Sequence, residues 1–197
     1  MEIFFGNKSN SVLSGKYAAQ IHSNKVLLVT SSAQYTSTIE ADSLVTNLRG
    51  VKLSVKTADC VPILLCSRNV VAAVHAGWRG AYDGVIQNTV EIMERLAAID
   101  IKAYIGPSIR QENYEVDHEF YKTFISQDEA NERFFNNLHF DLPGYCKSIL
   151  NRCQVVDISD EGIDTYSNPD KFYSYRYYTK NGLTLEKEQR QISTIQL

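Results

Sequence analysis

Two apolar runs joined by three polar residues constrain this chain more than any other feature. Residues 61–65 (VPILL) and 70–74 (VVAAV) contain only apolar side chains, and Ser67, Arg68 and Asn69 lie between them. Continuous apolar runs of this length are typical of strands with both faces buried. A short polar linker between two such strands favours an antiparallel hairpin. The sequence therefore predicts a buried hairpin at the centre of the fold.

Further strands and helices are predicted around this hairpin. Runs rich in β-branched and aromatic residues predict strands at residues 25–29, 51–55, 103–105, 155–158, 172–178 and 192–197. Apolar residues at helical spacing predict helices over residues 81–98, 116–125 and 145–153. Asn181-Gly182 predicts a hairpin that joins residues 172–178 to a polar strand. We expect an α/β fold without regular βαβ alternation.

Length and charge limit the organisation and the partners. A chain of 197 residues suits a single domain spanning residues 1–197. A formal charge of −3 lacks the basic excess of phosphate-backbone binders, so we expect no nucleic-acid partner. No apolar stretch has the length of a membrane span, so we expect no membrane partner and a cytoplasmic protein. The four cysteines are too few for a secreted disulfide scaffold.

Cys60 and His75 interrupt the apolar pattern at the two outer ends of the hairpin. Cys60 precedes the first strand and His75 follows the second, so hairpin pairing brings both side chains to the same end of the sheet. Such a pair has two chemical interpretations. It can be a Cys/His nucleophile dyad, or it can supply two ligands of a metal such as zinc.

A third candidate ligand, His22, lies before another predicted strand. One cysteine and two histidines form the three-ligand pattern of catalytic zinc sites, which leaves a fourth position open for water or substrate. The other candidate ligands fit ordinary structural roles. Cys66, Cys146 and Cys153 are interpreted as buried thiols, and His118 and His139 as solvated histidines.

The stretch HAGWRG predicts an anion site after the second strand of the hairpin. Gly77 and Gly80 permit tight backbone there, the following helix presents free N–H groups, and Arg79 adds a positive charge. A phosphate or a carboxylate fits such a site. In the alternative interpretation, the glycines and Trp78 only pack the turn, and Arg79 pairs with a structural acid.

Several motifs together resemble the YfiH, or laccase-domain, family, whose older label is multicopper polyphenol oxidase. They are QIHSNKV (20–26), TADCVPILLC (57–66), AAVHAGWRG (72–80), YIGPSI (104–109), YEV (114–116) and FYSYR (172–176). The resemblance implies an α/β fold with a single-domain mixed β core flanked by helices, similar to deamidating toxins that use a Cys/His pair. It also implies that the chain is shortened at its N-terminus relative to the family.

The same resemblance implies a function and a set of site residues. It implies one zinc ion, with copper as the alternative, bound by His22, Cys60 and His75. It implies phosphorolysis of adenosine, inosine, guanosine and methylthioadenosine, and deamination of adenosine, with purine nucleoside and phosphate as the small-molecule partners. Within this scheme, Arg79 and Gly77 are candidates for phosphate binding, Arg176 for a second anion contact, and Asp59 for acid–base or ligand-orienting work.

Two departures from the family pattern bear on substrate preference. Tyr177 follows Arg176 where the family has a second arginine, and Asp164 stands at a position that is commonly cysteine.

Three other functions remain as alternatives. A copper-dependent polyphenol oxidase needs many histidines, and this chain has four. A metal-free Cys/His thiol hydrolase or amidase should tolerate the loss of His22, and a non-enzymatic binding protein would hold metal without turnover.

Overall fold

The computed structural model describes residues 1–34 and 36–197. In chain order these residues form β1 (Glu2–Phe5), β2 (Val26–Leu28), β3 (Ser43–Thr46), β4 (Lys52–Thr57), β5 (Val61–Cys66), β6 (Val71–Ala76), α1 (Trp78–Asp83), α2 (Val85–Arg95), β7 (Lys102–Ile105), α3 (His118–Gln127), β8 (Phe135–Asn136), β9 (His139–Phe140), α4 (Leu142–Arg152), β10 (Asp157–Asp160), α5 (Tyr175–Lys180) and β11 (Gln191–Gln196). Two 3₁₀ turns, Gln111–Asn113 and Glu129–Phe134, flank α3.

The predicted hairpin is confirmed at the centre of the main sheet. β5 and β6 pair antiparallel with Leu64 opposite Ala73, and the Ser67 N–H closes the turn onto the Val70 carbonyl. Every residue of both strands is buried. The hairpin lies inside a six-stranded sheet with the order β10-β7-β5-β6-β3-β2, in which the two edge pairs are parallel and the other pairs antiparallel.

The central strands are buried because each face of the sheet is covered by a different layer. Ile63 and Leu65 of β5 pack in a cluster with residues of α2 and α4. Leu64, which alternates with them, packs in a second cluster with Leu53 of β4 and Ile195 of β11. β4 and β11 belong to a three-stranded antiparallel sheet with the order β1-β11-β4. The fold is therefore a mixed α/β architecture with a second small sheet on one face and helices on the other.

The helix predicted over residues 81–98 is instead two helices. Gly84 separates α1 from α2 with a φ of +99°, in the left-handed region that favours glycine. The helical periodicity continues across this break, which is why the sequence pattern did not reveal it. The other two predicted helices are confirmed as α3 and α4, with shifted ends. No helix among the residues described here combines the length and apolar character that crossing a membrane requires.

The strand and hairpin predicted near the C-terminus are wrong. Residues 175–180 form α5, and the Ser174 hydroxyl caps it by accepting a hydrogen bond from the Tyr177 N–H at 3.1 Å. Asn181 and Gly182 end this helix, and Gly182 has a φ of +66°. The aromatic residues favour a strand by propensity, but the serine cap and the terminal glycine favour a helix at the same positions. The sequence prediction also missed the short strands β1, β3, β8 and β9.

Candidate metal centre

His22, Cys60 and His75 meet at the end of the central hairpin. Cys60 directly precedes β5, and His75 lies in β6 opposite Pro62. His22 lies on the loop before β2 and completes the cluster from the side. The Sγ atom of Cys60 is 3.8 Å from Nε2 of His22. The ring centroids of His22 and His75 are 4.8 Å apart. The potential ligand atoms of all three residues lie within 4.8 Å of one another.

Unusual backbone conformations direct two side chains of this region. His22 has a φ of +60° and Asp59 has a φ of +90°, values that residues with a Cβ adopt infrequently. Such residues persist where the surrounding structure fixes them, and they are concentrated at functional sites. Here the backbone conformation of His22 places its ring beside Cys60, and that of Asp59 turns the chain immediately before Cys60.

Asp42, which the sequence analysis missed, organises both histidines. Its Oδ1 accepts a hydrogen bond from Nδ1 of His75 at 2.8 Å and another from the His22 N–H at 2.9 Å. Its Oδ2 accepts from the N–H and the hydroxyl of Ser23 at 2.7 and 2.8 Å. Because Nδ1 of His75 is occupied, Nε2 is the nitrogen left to bind a metal. Asp42 is fully buried, which fits an orienting role.

Gly77 allows the ligands to approach each other. A Cβ atom at this position would lie 2.8 Å from Cδ2 of His22 and 3.2 Å from Sγ of Cys60. A side chain of any size would therefore displace at least one of the two ligands. Gly77 is not in the wall of the adjoining cavity, so this close approach is the contribution that its position supports directly.

The cluster is strongly polarised. Burial raises the pKa of the Cys60 thiol, but the positive charge of His75 and the hydrogen bond with His22 lower it more, so the pKa lies well below its usual range. Burial lowers the pKa of His75, but the Cys60 thiolate and the Asp42 carboxylate raise it above the ordinary value for histidine. A thiolate next to an imidazole is the donor set that borderline-soft metals prefer.

The arrangement fits a small metal ion. Tetrahedral zinc with ligands at about 2.0–2.3 Å separates its nitrogen and sulfur donors by roughly 3.3–3.6 Å. The observed Cys60–His22 separation of 3.8 Å is close to this value. Three protein ligands leave one position of a tetrahedron open, and all three residues line the same cavity. The cluster therefore meets the requirements of a metal site with an open coordination position.

The adjoining cavity has a volume of about 540 Å³ and an excess of positive charge. Five cationic side chains line it: Lys56, Arg79, Arg176, Lys187 and Arg190. In the part of the chain that the structure describes, none of these five forms an ion pair with a carboxylate. The cavity therefore provides uncompensated positive charge next to the metal ligands, as an anion site requires.

Arg79 and Arg176 approach this cavity from two helices. The guanidinium of Arg79, on α1, lies 4.1 Å from the centroid of the Trp78 ring. Arg176, on α5, lies 5.3 Å from the centroid of the Tyr114 ring and donates from Nη1 to the Glu115 carbonyl at 2.8 Å. The structure thus brings both predicted anion-binding arginines to one cavity. α1 has only six residues, so its N-terminus contributes little to anion binding. The predicted anion site therefore depends mainly on the side chain of Arg79.

Asp59 connects the ligand loop to α5. Its Oδ1 accepts a hydrogen bond from the Thr165 hydroxyl at 2.7 Å, and its Oδ2 accepts from the Arg176 N–H at 2.7 Å. Burial raises the pKa of Asp59, and these hydrogen bonds only partly offset that effect. Since both carboxylate oxygens already bind protein groups, the contacts favour a ligand-orienting role over acid–base work.

The remaining predicted residues lie outside the cluster. Cys66 and Cys146 are buried in the core as predicted, whereas Cys153 is only half-buried. His118 is exposed and His139 is half-buried, and neither joins the metal ligands. Besides Asp42, sequence reasoning missed Lys56 and Tyr114 in the cavity wall. Lys56 directly precedes TADC, and Tyr114 belongs to the YEV motif, so both stand within or beside motifs that the sequence displays.

Sequence comparison relates the chain to one family model and to relatives named purine nucleoside phosphorylase. Residues 8–194 match the family model described as multi-copper polyphenol oxidoreductase laccase. A protein named purine nucleoside phosphorylase from Rickettsia prowazekii is 41% identical over 165 residues, which cover 80% of this chain and 68% of that protein. One of the same name from Haemophilus influenzae is 32% identical over 175 residues, covering 84% of this chain and 70% of the relative.

Solved structures agree with the sequence comparison. A Neisseria meningitidis protein superposes with a TM-score of 0.76 at 32% identity, covering 90% of this chain and 72% of that one. A Bacillus licheniformis protein named YfiH superposes with a TM-score of 0.78 at 25% identity, covering 92% of this chain and 73% of that one. The family match extends over most of the chain, through both the main sheet and the His22, Cys60 and His75 cluster. This chain therefore belongs to the multi-copper polyphenol oxidoreductase laccase family, which includes the YfiH proteins.

Proposed function

We propose that this chain is a zinc-dependent purine nucleoside phosphorylase that also deaminates adenosine. The observation that carries the proposal is that three metal ligands and five unpaired cations line one cavity. The names of the relatives from Rickettsia prowazekii and Haemophilus influenzae support the first activity. The preferred substrates are adenosine, inosine, guanosine and methylthioadenosine, as the family resemblance implies.

The cations of the cavity account for the phosphate requirement. In phosphorolysis, a phosphate oxygen forms a bond to the anomeric carbon of the ribose, while the bond from that carbon to the purine nitrogen breaks. The purine leaves with the electron pair and takes up a proton. Arg79 and Arg176 bind and orient the phosphate, and their fixed positive charges offset the cost of removing this anion from water.

His22, Cys60 and His75 would hold the zinc ion. Zinc in such a site supplies a Lewis acid and lowers the pKa of a bound water, which is the chemistry that deamination of adenosine requires. Asp42 fixes the ring of His75 and the backbone of His22, so the ligands are oriented before the ion binds. Asp59 orients the loop that carries Cys60 and holds the backbone of Arg176 in the cavity wall.

One further candidate is favoured by the geometry around His75. Cys60, His75 and Asp42 have the order of contacts of a thiol nucleophile, its base and an orienting acid. A metal-free thiol hydrolase or amidase would use these three residues without His22. A multicopper oxidase is not favoured, because the described residues form a single cluster of three or more potential metal ligands, and such an oxidase needs several copper sites.

The test is chromatography of adenosine after incubation with the zinc-loaded protein, with and without phosphate. We expect adenine and ribose 1-phosphate only when phosphate is present, and inosine in either condition. His22→Ala and Cys60→Ala should each lose bound zinc and both products. His139→Ala is the matched control, because it removes an imidazole outside the cluster.

Two results would contradict the proposal. Absence of purine products from the unaltered protein would exclude nucleoside chemistry with adenosine. Full turnover by a His22→Ala variant that has lost its metal would exclude a zinc mechanism and favour the thiol dyad.

A further inference from the structure

A second cavity adjoins the candidate active site. It has a volume of about 680 Å³ and opens along the N-terminal end of α3. Trp78, Tyr114 and Arg176 line both this groove and the cavity that holds the metal ligands. A ligand in the first cavity would therefore lie next to the groove, separated from it only by these three side chains.

Arg176 is the charged member of this shared wall, and it is held in place from three directions. Its backbone N–H donates to Asp59, its Nη1 donates to the Glu115 carbonyl, and its guanidinium faces the Tyr114 ring. These contacts fix the side chain at the boundary between the two cavities. It can contact a bound anion on one side without filling the groove on the other.

One part of the groove is apolar. Trp78, Val116, Phe120 and Leu138 line this part, and the other lining residues are Tyr114, Glu115, Asp117, His118 and Arg176. The Phe120 ring packs edge-on against Trp78 and Phe140, with centroid distances of 4.8 and 5.2 Å. The aromatic side of the groove is therefore preformed. The Val116 N–H donates to the Leu138 carbonyl at 2.8 Å and holds the opposite side.

The two acids at the rim of the groove are already bound by protein groups. Glu115 forms an ion pair with Lys180 at 3.1 Å, and the Asp117 carboxylate accepts a hydrogen bond from the Phe120 N–H at 2.7 Å. Both carboxylates are therefore engaged by protein groups, and Arg176 is the one cation that the groove shares with the first cavity. The part of the groove lined by Trp78, Phe120 and Leu138 suits an uncharged apolar group.

We propose that this groove binds an uncharged apolar substituent, about the size of a benzyl group, carried by the purine nucleoside substrate. The inference rests on the proposed function and extends it to the class of substrate. The cationic cavity takes the phosphate and the nucleoside, and the groove takes the substituent beyond Arg176. Burial of the substituent against Trp78, Phe120 and Leu138 increases the affinity of the extended nucleoside relative to adenosine.

The single tryptophan of the chain makes binding directly measurable. Trp78 lines both cavities, so its fluorescence reports ligand binding without any need for turnover. Adenosine, N6-benzyladenosine and 5′-benzylthio-5′-deoxyadenosine would each be titrated into the zinc-loaded protein. The two benzyl compounds distinguish a substituent on the base from one on the sugar. We expect at least one of them to bind about tenfold more tightly than adenosine.

Leu138→Phe tests the location of the effect. The larger side chain narrows the groove beside Phe120 but lies outside the wall of the first cavity. We expect it to remove the advantage of the benzyl compound while the Kd and turnover of adenosine stay unchanged. Leu183→Phe is the matched control, because Leu183 is exposed and lies in neither cavity wall.

The outcomes separate this inference from the proposed function. If adenosine is turned over but neither benzyl compound binds more tightly, the groove does not bind a substituent and the inference is wrong. It is equally wrong if Leu138→Phe leaves the advantage intact, or weakens adenosine and the benzyl compound alike. If adenosine is not turned over at all, the proposed function fails, whereas the fluorescence titration still tests the groove by comparing the affinities of adenosine and the benzyl compounds.

Discussion

Asp42 holds His75 through a 2.8 Å hydrogen bond between its Oδ1 and the imidazole Nδ1, and the same oxygen accepts the backbone N–H of His22. One buried carboxylate thus fixes the ring of one metal ligand and the backbone of another. The two histidines come from separate parts of the chain, so their relative position depends on this acid.

Asp42→Asn should weaken metal binding by about 10–100-fold, because an amide cannot accept all the hydrogen bonds that the carboxylate accepts. Competition with a chelator of known affinity measures the effect. Asp83→Asn is the control, since Asp83 is exposed and lies on α1 outside the cluster. Equal metal affinity in the Asp42 variant and the unaltered protein would refute an orienting role for Asp42.

Gly77→Ala should lower metal affinity at least about tenfold, because the new Cβ would displace His22 or Cys60 by several tenths of an ångström. Chelator competition again supplies the measurement. Gly162→Ala provides a control for backbone strain: Gly162 has a φ of +67° and open space around it, so that variant should lose stability without losing metal affinity. Parallel losses of metal affinity in both variants would contradict the steric explanation.

Asp59→Asn should loosen α5 while leaving the metal ligands in place. The amide nitrogen would face either the Thr165 hydroxyl or the Arg176 N–H, and one of these donors would lose its acceptor. We expect a loss of about 1–3 kcal/mol in the free energy of unfolding and a higher KM for phosphate. Hydrogen exchange should become faster in residues 174–180. Unchanged exchange there, together with a lower kcat alone, would indicate direct acid–base work instead.

The ion pairs of Asp160 predict a specific pH dependence of stability. Burial raises the pKa of Asp160, but hydrogen bonds from Arg110 and Lys147 lower it to about 2 from an ordinary value of 3.8. Because the pKa is lower in the folded state, the stabilisation is fully present above about pH 4 and is lost as the pH falls through 2. It amounts to about 2 kcal/mol.

Urea unfolding between pH 6 and pH 2.5 measures this contribution. The stability difference between the unaltered protein and Asp160→Asn should be largest near pH 6 and should narrow steadily below pH 4. Asp157→Asn, which removes a surface ion pair with Lys102, should show little of this trend. If the stability difference between the unaltered protein and Asp160→Asn stayed constant from pH 6 to pH 2.5, the lowered pKa of Asp160 would be contradicted.

Much of the site was predictable because it is encoded locally. The hairpin of β5 and β6 follows from two apolar runs and a short turn, and hairpin pairing alone places Cys60 and His75 at the same end. His22 was a candidate because it precedes a predicted strand and completes a set of one cysteine and two histidines, and the family motif supports it. Its position next to Cys60 depends on a loop with positive φ, which the sequence pattern does not reveal.

Other features could not be predicted because they depend on long-range contacts. Asp42 lies at the start of β3, a strand that was missed, and its role arises only when β3 pairs with β6. The helix α5 was predicted as a strand, because the propensity of its tyrosines outweighed the cap supplied by Ser174. The excess of cations in the cavity likewise arises from residues that are distant in the sequence, such as Lys56 and Lys187.

The positions of the ligands along the chain have a topological consequence. Cys60 and His75 belong to one local hairpin, whereas His22 comes from the segment before β2. An ion that joins His22 to Cys60 closes a loop whose ends are 38 positions apart in the chain. The effect on chain entropy is comparable to that of a disulfide bond. Metal binding at this site would therefore act as a cross-link between the segment before β2 and the central sheet.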